Sequence, residues 1–403
     1  MTASSSQTPA DHAASLASAG EANGHGMNAL KQGAFDAAIA YFARACALDP
    51  EAGPLWRNLA TAYRNKDDDA GERTALDHAL DCDRTDFMAW LRKAELLERL
   101  GEAVPAMEAW SGVLQMAVQF DPLPEGLAPV LDHARDYIAA QTSAISDHIA
   151  ARLGADIEQA DETSRRRLRA FTDIAAGKRR TYQNECSGLH YPFLPADEFF
   201  DARHFPWFEA LGAQTDAIRA ELLDLMENGT DAMRPYVRME KGTPDNKWSG
   251  LDHNLDWTAC FLWEYGEPNL PVLDRCPATK AAMEAVPGAR IPGRAPNVFF
   301  SILRPHAHIP PHTGVSNTRA IIHLPLIVPE NCGFRVGGET RKWVEGEAFA
   351  FDDTIEHEAW NKSDQLRAVL IFDVWNPHLA KAEKDLIARF YAETDVAGHR
   401  PAS

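Results

Sequence analysis

His312 and His357 are the residues of this chain whose types and spacing best suit chemistry. His312 stands in Pro-Pro-His-Thr-Gly (310–314), and His357 in Phe-Asp-Asp-Thr-Ile-Glu-His-Glu-Ala-Trp (351–360), 45 residues on. Arg367 follows ten residues later and opens an apolar run, Ala-Val-Leu-Ile-Phe-Asp-Val-Trp. Two histidines on separate β-elements, then an arginine, is the layout of a non-haem iron(II) site working with 2-oxoglutarate and O2. Imidazole suits ferrous iron, and open coordination positions suit O2. A buried arginine suits the far carboxylate of 2-oxoglutarate, which takes a planar bidentate donor. Commoner sites of this kind add a carboxylate two residues after the first histidine. Here that residue is Gly314, which has no side chain to bind a metal. Either the site has two protein ligands, or both histidines are ordinary strand-end residues making hydrogen bonds.

Elements must hold these residues in place. From about residue 181 the chain becomes a series of short apolar runs with frequent Pro, Gly and Trp, the texture of an all-β core. Strands are predicted at 297–304, 318–327, 333–336, 347–352, 356–360 and 366–375. Helices at about 208–227 and 379–393 should pack outside them. A double-stranded β-helix, a jelly-roll relative, fits this series.

The N-terminal part is a repeat. Trp56 and Trp90 are 34 residues apart, as are Ala60 and Ala94, and Ala45 and Ala79. Phe42, Leu76 and Trp110 continue the step. That period, with small residues where two helices cross, is the tetratricopeptide signature, and such units bury their faces by stacking into an α-solenoid. Three units are predicted, at 20–51, 52–85 and 86–118. The fold class is therefore a multidomain α + β chain. Residues 1–20 are expected to be a disordered N-terminus, 21–118 the repeats, 119–180 a helical connector, and 181–396 the β-domain.

Net charge is −19, from 40 basic and 59 acidic residues. That balance argues against nucleic acid as a partner, because phosphate contacts need clustered Lys and Arg. The runs at 165–169 and 178–180 are read as solvated helix faces. The six cysteines show no CxxC spacing, hence no zinc or disulfide framework. The first 20 residues lack a basic segment followed by an apolar core, and no run reaches the roughly 18 apolar residues of a membrane span. A cytoplasmic location is the expectation.

Residues 296–379 resemble the catalytic domain of the aspartyl/asparaginyl β-hydroxylase family. The similarity rests on His-Thr-Gly (312–314), Asn-Thr-Arg (317–319), His-Leu-Pro-Leu-Ile-Val-Pro (323–329), Gly-Glu-Thr-Arg-Lys-Trp (338–343), 346–361 and Asp-Val-Trp-Asn-Pro (373–377). A weaker resemblance runs back to about residue 180 through Phe-Pro-Trp (205–207). The resemblance implies the same β-fold and a two-histidine iron site lacking the carboxylate, with His312 and His357 as ligands. It gives Asp353 the place of an aspartate supporting the ligands, although Asp352-Asp353 also reads as a turn. It implies that Ser301 and Arg367 hold the distal carboxylate of 2-oxoglutarate, with His323 reaching the cosubstrate from the side. Arg319, Ile321 and His323 share a strand face, because side chains alternate. The family is expected to carry arginine where this chain has Ile321, and Arg319 is the candidate to supply that charge. His306 and His308 form an alternative His-x-His pair.

The activity implied is hydroxylation of an unactivated C–H, first of all the β-carbon of Asp or Asn in a protein or peptide recruited by the repeats. A lipid acyl chain or a small amino-acid derivative is the alternative substrate. A tetratricopeptide adaptor that has lost activity is the non-enzymatic alternative.

Overall fold

The computed structural model describes residues 8–228 and 232–397. It divides into two compact units, 1–177 and 178–403.

The first unit is helical. Its helices are α1 (Pro9–Ser15), α2 (Ala19–Lys31), α3 (Phe35–Leu48), α4 (Gly53–Asn65), α5 (Asp69–Cys82), α6 (Phe87–Arg99), α7 (Ala103–Ala117), α8 (Leu127–Gln159) and α9 (Glu162–Ala175). α2 packs on α3, α4 on α5 and α6 on α7, as three successive helical pairs. The small residues of the period sit where the helices cross: Ala45, Ala60, Ala79 and Ala94 are buried. Asp68 and Asp86 cap α5 and α6 by accepting from Gly71 N and Ala89 N. Trp56 and Trp90 repeat one device a period apart, each donating Nε1 to the carbonyl six residues before it, at 2.9 Å.

The expectation of disorder over 1–20 needs correction. Residues 1–7 lie outside the described residues, but Pro9–Ser15 is a helix with Thr8 and Asp11 as a reciprocal capping box. Ala13 and Leu16 are buried, and Arg44 donates to the Leu16 carbonyl. Apolar burial and a cap outweigh an Ala/Ser-rich composition.

The second unit contains α10 (Phe208–Gly212), α11 (Thr215–Glu227), β1 (Met233–Pro235), β2 (Trp257–Glu264), β3 (Glu267–Pro268), α12 (Leu270–Leu273) and α13 (Pro277–Ala285). Then come β4 (Val298–Leu303), β5 (His308–His312), β6 (Arg319–Ile327), β7 (Cys332–Val336), β8 (Glu339–Arg341), β9 (Phe349–Phe351), β10 (His357–Asn361), β11 (Arg367–Trp375) and α14 (Lys381–Val396). The order β4-β11-β6-β9 makes one sheet, extended by β2 and β1, while β5-β10-β7-β8 makes the other. The eight strands β4–β11 thus divide between two antiparallel sheets in the double-stranded β-helix pattern. Period-two alternation splits the large sheet's side chains. Phe300, Ile302, Leu324 and Leu370 face outward under Ile218, Leu222 and Leu225 of α11. Leu303 and Phe351 face inward to meet Ile309, Phe334, Val336 and Ala359 of the small sheet.

β1, β3, β8, α12 and α13 were not predicted, and three further differences have a plain physical reason. The helix expected at 208–227 is broken after Gly212, where a Cβ would come within 2.5 Å of the Gly346 carbonyl. β5 was hidden by Pro310 and Pro311, which a strand tolerates at an edge; β5 is an edge. β2 was missed because Trp257, Thr258, Ala259 and Cys260 are all buried, leaving no alternation to read.

Candidate active site

His312 ends β5 and His357 begins β10, and the two are direct partners across the ladder. Their ring centroids are 4.1 Å apart. Each ring is fixed the same way: His312 Nδ1 donates to Pro310 O at 2.8 Å and His357 Nδ1 to Ile355 O at 3.0 Å. A carbonyl only accepts, so both protons are on Nδ1, and Nε2 is the nitrogen of each ring that carries the lone pair. Burial keeps the imidazoles neutral, pushing His312 down to about 4 and His357 well below its ordinary value. Neutral imidazole with an unshared Nε2 is the form that binds metal.

Both rings line a cavity of about 530 Å³ between the sheets, whose walls also include Ser301, Arg319, Ile321, His323, Asp353 and Arg367. The tertiary fold therefore brings His312, His357, Asp353, Ser301, Arg319, His323 and Arg367 onto one cavity. Arg367 is 1% exposed, and among the described residues no carboxylate pairs with it. Its Nη1 reaches Ser301 Oγ at 3.3 Å, its plane lies over the Trp343 ring at 4.3 Å, and its Nε has no partner. Burial pulls its pKa down to about 9, which marks a cation lacking a counter-charge. Ser301 Oγ accepts from Arg367 and also from Trp257 Nε1 at 3.1 Å, so its own proton is left to donate. His323 Nδ1 is likewise buried without a partner, among Phe334, Phe349 and Phe351. Unfilled donors beside a buried cation fit a carboxylate.

Arg319 differs from the sequence-based expectation. Its Nη1 is 2.7 Å from Asp373 Oδ2, and both groups are buried. The charge is already balanced, because a buried guanidinium takes the nearest anion and β11 supplies one on the adjacent strand. Asp353 lies in the turn before β10. Burial first, then the neighbouring Asp352, raises its carboxyl to about 7. Among the described residues no group of three or more His, Cys, Asp or Glu could hold a metal, so Asp353 does not complete a three-ligand set. The alternative pair is dispersed on the surface. His306 Nε2 is 2.9 Å from Asp364 and His308 Nε2 is 2.9 Å from Glu358, with both histidines exposed.

Sequence reasoning missed the aromatic part of the wall. Trp248 meets His312 edge-on at 5.0 Å, and Trp257 and Trp343 position Ser301 and Arg367. Trp257 opens a mostly apolar strand whose pattern does not single it out, whereas Trp343 lies inside one of the family-like motifs.

Two antiparallel sheets in the double-stranded β-helix order thus enclose a cavity with two paired histidines on its wall. The chain belongs to the aspartyl/asparaginyl β-hydroxylase family, whose profile matches residues 212–377. It is 37% identical over 170 residues to the mouse aspartyl/asparaginyl beta-hydroxylase, covering 41% of this chain and 23% of that protein. It is 30% identical over 243 residues to the ornithine lipid ester-linked acyl 2-hydroxylase of Rhizobium tropici, covering 54% of this chain and 82% of that one. The chain spans less than a quarter of the mouse and human beta-hydroxylases. The N-terminal helices are similar to the first tetratricopeptide domain of Spaghetti (RPAP3), at 22% identity and TM-score 0.27, covering 30% of this chain and 93% of that one. No helix among the described residues is long and apolar enough to cross a membrane.

Proposed function

We propose that the second unit is an Fe(II)- and 2-oxoglutarate-dependent dioxygenase. The observation that carries this is Arg367, a fully buried guanidinium without a counter-ion, on the same cavity as two neutral histidines. His312 and His357 would hold the iron through Nε2, with no protein carboxylate. Arg367 and the Ser301 hydroxyl would hold the distal carboxylate of 2-oxoglutarate, with His323 beside it. Iron and 2-oxoglutarate together supply the oxidation of an unactivated C–H by O2. The chain's own part is to orient the groups and keep water out, which the aromatic walls do. Asp353 stands against Gly314 and supports the ligand loops. Arg319 serves as an internal tie to Asp373.

The test is succinate formation from 2-oxoglutarate, dependent on added Fe(II) and abolished by chelation. His312→Ala and His357→Ala should each lose it. Wild-type turnover in either variant would refute the ligand assignment.

The substrate we propose is the β-carbon of an Asp or Asn residue in a polypeptide, which the helical repeats recruit. A second reading has one specific observation in its favour. Ile321 adds an apolar side chain to a cavity also lined by Phe299, Phe261 and Ile371, which would suit an acyl chain, the substrate class in the name of the Rhizobium relative. Mass spectrometry for oxygen addition in peptide and lipid extracts separates the two.

A further inference from the structure

The segment 184–191 belongs to no strand, yet it holds both loops that carry the candidate ligands. It bends at Ser187 and Gly188, with Asn184, Cys186 and Gly188 partly buried and Glu185 and Ser187 exposed. Toward the His357 loop, Asn184 Nδ2 donates to Asp352 Oδ2 at 2.7 Å and to Thr354 Oγ1 at 3.0 Å, and Glu185 N donates to Thr354 O at 2.7 Å. Toward the His312 loop, Ser187 N and Oγ both donate to Gly314 O at 3.0 Å, and Gly188 N donates to Val315 O at 2.9 Å. Tyr191 and Asn317 then exchange a reciprocal pair, at 2.7 and 2.8 Å.

β7 holds His357 from its other side, opposite Val336, but the strand pairing that joins the two ligands to each other is short. The β5–β10 ladder loses register between His357 and Ala359, directly after the one pair that joins the histidines. Beyond that point the two loops are joined directly by the bond from Gly314 N to Asp353 O. Each imidazole is oriented by a carbonyl two residues upstream, so it turns with its own backbone. For His357 that carbonyl belongs to Ile355, the residue after Thr354, which the strap grips twice.

We infer that the 184–191 strap sets the spacing of His312 and His357, with Asn184 as its principal positioning residue, and that it thereby sets the affinity for the metal. This rests on the metal reading above. Outer partners of ligand-bearing groups tune metal affinity by about 10- to 100-fold, and a merely structural strap would not.

The test titrates the full chain with Co(II) in the presence of 2-oxoglutarate, followed by visible absorption, alongside thermal melting without metal. Asn184→Ala removes the donor, and Asn184→Asp puts an acceptor in the same shape opposite Asp352. Leu222→Ala, in the core on the outer side of the large sheet, is the reference for a protein that is destabilised and nothing more. The expected result is Co(II) binding at least about tenfold weaker in both Asn184 variants, with a changed spectrum, and wild-type binding in Leu222→Ala. Wild-type Co(II) affinity in the Asn184 variants, or a loss no greater than that of Leu222→Ala, overturns the inference. So does failure of both Asn184 variants to fold, which makes the strap structural. If the wild-type chain takes up no Co(II), or His312→Ala takes it up equally well, the metal reading itself fails, and the strap's role with it.

Discussion

Gly314 and Asp353 share one space. The Cβ that Gly314 lacks would lie 2.1 Å from Asp353 Oδ2 and 2.2 Å from its Cγ, and the Gly314 amide donates to the Asp353 carbonyl. The place where a carboxylate-bearing side chain at 314 would begin is thus already filled by a carboxyl from the other ligand loop. The missing third ligand and the aspartate before His357 are two sides of one packing arrangement.

That arrangement makes Gly314 intolerant of any side chain. Gly314→Ala must push the Asp353 carboxyl aside, at a cost of about 1–3 kcal/mol. Gly314→Asp should be worse, because two carboxylates then compete for one buried pocket. Denaturant unfolding would show the order. The exchange Gly314→Asp with Asp353→Gly should recover stability relative to Gly314→Asp alone. If Gly314→Asp is as stable as the wild type, the shared space is not a constraint.

Arg367 trades stability for binding. A buried cation without a counter-ion costs free energy, so Arg367→Met, with a similar apolar stem, should raise the melting temperature of the ligand-free protein. The same variant should lose the stabilisation that 2-oxoglutarate gives the wild type, which grows with ligand concentration over Kd. Loss of a buried charge contact of about 2–5 kcal/mol predicts a rise of roughly 30- to several-thousand-fold in the 2-oxoglutarate Kd. Arg367→Lys should also bind poorly, because ammonium lacks the planar fork. A wild-type thermal shift with 2-oxoglutarate in Arg367→Met would remove the arginine from the cosubstrate site.

The two units each bury their own core, and the chemistry is assigned wholly to the second. A fragment of residues 178–403 should therefore convert 2-oxoglutarate to succinate slowly in the absence of prime substrate. If the repeats recruit a polypeptide, this fragment should lose most of its kcat/KM on that polypeptide. Equal efficiency of fragment and full chain would end the recruitment reading and favour a small or lipid substrate. Aggregation of the fragment would make the repeats a brace.

Two glycines of α2 should respond in opposite directions. A Cβ on Gly26 would come within 2.5 Å of the Phe42 ring, whereas Gly24 has nothing within 4 Å. Gly26→Ala should destabilise the helical unit by about 1–3 kcal/mol. Gly24→Ala, at an exposed helical position, should stabilise it by about 0.5–1 kcal/mol. Far-ultraviolet melting curves compare them directly, and the same sign for both would mean that α2 and α3 do not pack in this register.

The helical repeats were legible because each contact recurs at a fixed step. Trp56 and Trp90 make the same bond in successive units, so the period in the chain is the period in space. His312, His357 and Arg367 were legible because a charged or imidazole side chain at the edge of an apolar run needs a partner. The family-like motifs extended that reading to Ser301, His323 and Asp353. Where partners come from distant segments, local pattern says nothing. Arg319 read as free until the fold put Asp373 on the adjacent strand. The strap at 184–191 carries no motif, because its bonds to the loops at 314 and 354 come from backbone amides and from two common polar side chains, Asn184 and Ser187. Spacing along the chain determined which residues can do chemistry. Only the packing of two sheets decided which charges are spent on each other and which are left to a ligand, because burial makes every polar group find a partner and that partner is chosen in three dimensions.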